Sequence, residues 1–163
     1  MLKRIGLVAL VVLAFAGEAS SAEIIGGVTG GYTYNGPASG APWFSATTGA
    51  RLGTFNEGWT KIYTVARLAG TEDDGLWGAK AILAQKISSN GVFWWVLDAG
   101  ALDGGCINSD GSDEITPSFG TGPAVALNKY MSVALYGEAW RTSGDTWGMA
   151  ASLAIQAHLY TGE

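Results

Sequence analysis

Cysteine is almost missing from this sequence, and with it one way of holding a small domain together. Cys106 is the only one, so no intramolecular disulfide can form and no CxxC pair exists for redox or zinc chemistry. Charge is sparse, at 14% of residues, and the acids outnumber the bases by 14 to 9. An acidic chain without a basic stripe is not built to bind nucleic acid. There is no phosphate-cradling glycine loop, no spaced set of metal ligands, and one histidine only, His158. Nothing in the composition calls for a cofactor.

Long apolar runs are also lacking, with one exception at the start. Lys3 and Arg4 precede an apolar run from Ile5 to Ala16, which gives way to small residues ending Ser20-Ser21-Ala22. That layout is a secretory signal, and the run is short of the roughly 20 residues a helical span needs. Residues 1–22 are therefore expected to be a signal peptide cut after Ala22, and 23–163 a single domain. No cysteine stands at the cut to carry a lipid. Removal of Lys3, Arg4 and Glu18 leaves seven basic and thirteen acidic residues, a net charge of −6.

What the chain does have is glycine (25 residues), tryptophan (7) and alternation. In the closing stretch Trp147–Tyr160, the residues Trp147, Met149, Ala151, Leu153, Ile155, Ala157 and Leu159 are apolar. Between them lie Gly148, Ala150, Ser152, Ala154, Gln156 and His158, which are small or polar. A period of two marks a strand with two different faces. Ordinary strands average about 5–6 residues, whereas an oblique bilayer crossing takes roughly 9–11.

Seven further stretches repeat the pattern: 24–34, 43–55, 59–70, 76–87, 93–101, 118–127 and 131–141. Asn56-Glu57-Gly58, Ser88-Ser89-Asn90 and Asn128-Lys129-Tyr130 read as tight turns. The intervening connections are longer or more acidic, notably 71–74 and 103–116. Short turns at one end and longer loops at the other are characteristic of outer-membrane barrels. The expectation is all-β: an eight-stranded up-and-down antiparallel transmembrane β-barrel in outer-membrane lipid, with both ends of the chain periplasmic.

Aromatic residues at strand ends supply a second, independent pattern. Tyr32, Tyr34, Trp43, Phe44, Trp77, Phe119, Trp140 and Trp147 are expected at the outer boundary, and Phe55, Trp59, Phe93, Trp95, Tyr130 and Tyr160 at the inner one. Two girdles of amphipathic rings suit the headgroup regions of a bilayer. The inward phase carries Arg51, Lys61, Arg67, Lys80, Lys86, Asp98 and Glu138, with Tyr63 and Tyr136. Eight strands enclose a space that side chains can fill, so these charges are expected to pair into a lumen network.

The segment Gly122–Trp140, a glycine-rich strand, a short Asn-containing turn and a strand bearing an inward Glu138, resembles the penultimate hairpin of small eight-stranded outer-membrane barrels, the opacity-protein and porin-like class. That resemblance extends in pattern over the whole segment after residue 22. It implies an integral barrel with a structural or surface-interaction role such as adhesion or protection.

Two other readings follow from the residues: a narrow cation-lined pore, and a soluble, periplasmic or secreted barrel holding a small apolar ligand. The latter would turn its apolar stripes inward. The loop residues Asn108, Asp110, Asp113 and Glu114 around Gly111 offer oxygen ligands but fall short of a calcium-loop motif. The acidic loops 71–74 and 103–116 are candidate contacts for an extracellular partner. His158 invites the question of a catalytic triad. Ser152, six residues along the same strand and roughly 20 Å away at strand rise, is out of reach. An enzyme is not expected.

Overall fold

The computed structural model describes residues 23–35, 39–70, 75–103, 115–141 and 147–161. The expected signal segment, Cys106, the candidate ligands Asn108–Glu114 and the acidic loop 71–74 lie outside the described residues. Eight strands follow in order: β1 Glu23–Asn35, β2 Pro42–Phe55, β3 Thr60–Gly70, β4 Gly75–Lys86, β5 Phe93–Asp103, β6 Ile115–Asn128, β7 Met131–Arg141 and β8 Trp147–Tyr160. Each pairs antiparallel with its neighbours in sequence, and β1 pairs with β8 to close the barrel. Strands of 11 to 14 residues exceed what a soluble sheet usually uses and match a tilted bilayer crossing.

Closure pairs Glu23 with Tyr160, so the first and last strands meet at one end. That end also carries the three short turns. In the β2–β3 turn, Asn56, Glu57 and Gly58 all have positive φ, which asparagine and glycine tolerate and glutamate does not favour. The β6–β7 turn is fixed by the Asn128 side chain, which accepts the Tyr130 N–H at 2.7 Å. The opposite end carries the connections 36–41, 71–74, 104–114 and 142–146.

Strand β6 begins at Ile115, three residues earlier than expected, and takes Ile115 and Thr116 from the long loop. Pro117 and Pro123 both face outward, opposite Ala101 and Trp95 of β5. On the β7 side the pairing lapses at Gly122 and Pro123 and resumes at Ala124 in the same register, because Pro123 has no N–H to donate.

Alternation sorts the side chains as the sequence implied. Val28, Phe44, Leu68, Leu83, Leu97, Leu135, Leu153 and Ile155 all point outward and are half-exposed. A continuous apolar exterior of that breadth is foreign to a water-soluble monomer. The soluble ligand-binding reading required the reverse orientation and is set aside. Inside, two apolar clusters flank a charged layer. One, near the long-loop end, gathers Trp43, Ala69, Leu76, Leu102, Trp140 and Ala150. The other, toward the short-turn end, holds Ile25, Tyr63, Val65, Ile82, Val96, Ala124, Ala134 and Ala154.

Candidate functional site

From the long-loop end downward, the lumen is closed first by two tryptophans. Trp43 of β2 and Trp140 of β7 stack with ring centroids 4.6 Å apart and planes 9° from parallel. They are 0% and 2% exposed, so neither belongs to the outer girdle expected of them. Their phase explains the correction: Trp43 is in step with inward Ser45, and Trp140 with inward Glu138. Gly148 on β8 makes room for the stack. A Cβ there would collide with the Trp140 ring.

Beneath the stack lies the charged layer. Glu138 joins Arg67 at 2.5 Å and Lys80 at 2.5 Å, Lys80 reaches Asp98 at 2.9 Å, and Ser118 donates to Glu138 at 3.2 Å. Two cations meet two carboxylates, so the layer is neutral as a unit, and every one of these side chains is almost fully buried. Unpaired, any of them would carry a heavy desolvation cost. A void of about 30 Å³ beside Arg67, Lys80 and Asp98 is the size of a single water. Tyr136 packs on Gly120, whose missing side chain leaves the space for its ring.

At the short-turn end a second cluster forms around Glu23, the first residue after the expected cut. Its Oε2 accepts from Arg51 at 3.0 Å and Lys61 at 3.1 Å, and its Oε1 accepts from Tyr63 at 2.9 Å. The His158 Nδ1 lies 2.8 Å from the same Oε1, and its Nε2 lies 3.0 Å from the Ser132 hydroxyl. The single lumen network expected from sequence is therefore two separate clusters.

Lys86 belongs to neither. It is in phase with the lumen but sits at the strand end, where its ammonium lies 5.0 Å from the centre of the Trp59 ring. Below the Glu23 cluster a cavity of about 380 Å³ extends to the turn residues Asn90–Val92 and Asn128–Lys129.

The remaining girdle aromatics face outward. Tyr32, Tyr34 and Phe44 are well exposed near the long-loop end, where Phe119 and Trp147 meet at 6.3 Å, and Trp77 is partly covered. Phe55, Trp59, Phe93, Trp95 and Tyr130 are exposed at the other end. Tyr160 is the third correction: it turns inward, lines the cavity, and meets Tyr130 edge-on at 6.4 Å. Among the described residues no cluster of histidine, cysteine or carboxylate side chains is placed to hold a metal.

No protein-family model and no curated protein sequence matches the chain. Solved structures do. A de novo designed transmembrane β-barrel shares 11% identity over 84% of this chain and 95% of that one, with a TM-score of 0.54. Neisserial surface protein A (NspA) shares 11% over 85% and 97%, at 0.54. The N-terminal β-barrel domain of Pseudomonas aeruginosa OprF shares 14% over 86% and 98%, at 0.56. At these identities the likeness is one of fold, and the fold is that of an eight-stranded transmembrane β-barrel.

Proposed function

We propose that the protein is an outer-membrane barrel that does not conduct, exported by the segment 1–22 and acting at the cell surface in structure, adhesion or protection. The long-loop end faces outward in this reading, and the acidic connections 71–74 and 103–116 offer a meeting place for an extracellular partner. The observation that carries it is the double closure of the lumen, by the Trp43–Trp140 stack and by the Arg67–Glu138–Lys80–Asp98 layer beneath. A barrel sealed in its interior leaves its lipid-facing wall and its loops to carry out its role. The apolar exterior and the aromatic rings at both ends support the membrane address.

The rival is a narrow pore, and planar-bilayer recording separates the two. Purified protein is expected to insert without stepwise current. Discrete, reproducible conductance steps in the unmodified protein contradict the sealed reading and favour the pore.

A further inference from the structure

The short-turn end of the lumen contains a constellation that neither a sealed wall nor a set of surface loops uses. Glu23, His158 and Ser132 stand in line across three adjacent strands, β1, β8 and β7. The Glu23 Oε1 lies 2.8 Å from His158 Nδ1, and His158 Nε2 lies 3.0 Å from Ser132 Oγ. We propose that Ser132, His158 and Glu23 form an acyl-transfer triad that hydrolyses small carboxylic esters entering from the short-turn mouth of the barrel.

The roles follow from donor and acceptor capacity. A carboxylate oxygen can only accept, so Nδ1 carries a proton, and in the neutral imidazole Nε2 is then the acceptor facing the serine hydroxyl. Ser132 O–H then donates to Nε2, the arrangement a nucleophile and its general base require. Glu23 acts as the positioning residue. It is 0% exposed and held by Arg51, Lys61 and Tyr63 as well as by the imidazole, so it has little freedom to turn away. Such triads are recognised by geometry and role rather than by order in the chain.

The cavity completes the case. Ser132 and His158 line its wall, while Glu23 stays behind them out of contact with it. Its deeper surface is apolar, from Ile25, Ile82, Val96 and Ala124, and suits an acyl chain. At about 380 Å³ it lies at the small end of ligand sites, which points to short acyl groups. The Gln156 side-chain Oε1 lies 3.4 Å from Ser132 Oγ, a longer contact than the one to the imidazole, and so a weaker competing acceptor for the same hydroxyl proton. All strands pair around the closed barrel, so there is no free edge to hold a peptide in extended form, and an ester is the better substrate class.

In the first step Ser132 Oγ attacks the ester carbonyl carbon while His158 Nε2 takes its proton. The tetrahedral intermediate collapses, the C–O bond to the alcohol breaks, and His158 returns the proton to the leaving oxygen. Water then attacks the acyl-serine with His158 as base, releasing the carboxylic acid and restoring the hydroxyl.

The test uses the folded barrel in lipid nanodiscs, which leave both mouths open, with p-nitrophenyl butyrate as substrate and an alkyl fluorophosphonate as covalent probe. Saturable hydrolysis and a single phosphonate adduct mapped to Ser132 by mass spectrometry are expected. Ser132→Ala should remove the adduct and lower kcat/KM at least about 100-fold, and His158→Asn by a similar factor, the usual scale for losing a general base. Ile82→Trp, which narrows the cavity while leaving the three triad side chains in the sequence, should lower kcat/KM while leaving the heat-dependent gel shift of the folded barrel intact. Wild-type protein left unlabelled at Ser132 overturns the proposal, as does Ser132→Ala protein that hydrolyses as fast as wild type. Neither result bears on whether the barrel conducts.

Discussion

Glu138→Gln is expected to destabilise the barrel by about 3–5 kcal/mol, the scale for breaking a buried ion pair by removing one partner. Among the described residues Glu138 is the only carboxylate shared by Arg67 and Lys80, and it also receives the Ser118 hydroxyl. Without its charge, two buried cations face Asp98 alone. Urea unfolding in lipid vesicles reads the loss. Adding Lys80→Met to Glu138→Gln restores one cation to one anion and should recover much of the stability, so the two changes will be far from additive. Losses that simply add would mean that the layer is not a coupled unit.

Leu153→Arg should cost about 2–4 kcal/mol, the expected cost of an arginine on the lipid face at the bilayer midplane. Leu153 lies mid-strand on β8, pairs with Gly30 and Leu135 on its two sides, and is 49% exposed. In water, placing a charge on so exposed a position would be nearly neutral. Depth gives a control: Leu159→Arg, also outward but at the strand end, should cost only about 0–1 kcal/mol. Equal, small effects at both positions would argue that this face meets water.

Most of the architecture was legible because a strand has only two faces. Once Lys61 and Arg67 are assigned inward, Tyr63 and Val65 must follow, and the structure places all four so. The exceptions lie at strand ends, where position along the strand and parity point in different directions. Trp43 and Trp140 stand at strand ends, which suggested a girdle, yet their phase with Ser45 and Glu138 already marked them as interior. Tyr160 repeats the lesson on β8, in phase with His158. Lys86 shows the converse, since correct parity at a strand end does not bring a long side chain into the network.

The Glu23 cluster was out of reach of sequence reading for a different reason. Along its own strand His158 has no partner within reach, since Ser152 is too distant. The relevant neighbours come from either side of β8. Ser132 of β7 pairs with Gln156, and Ile25 of β1, two residues from Glu23, pairs with His158. Those contacts depend on register and on closure between the first and last strands, which no local pattern encodes. Closure with Glu23 opposite Tyr160 is what sets the carboxylate beside His158.

A closed barrel embedded in a membrane is tested by fractionation of expressing cells followed by a denaturing gel with and without boiling. The predicted result is recovery in the outer-membrane fraction, with unboiled protein migrating differently from boiled protein because the folded barrel resists the detergent. Recovery in the soluble fraction with the same mobility before and after boiling would contradict it.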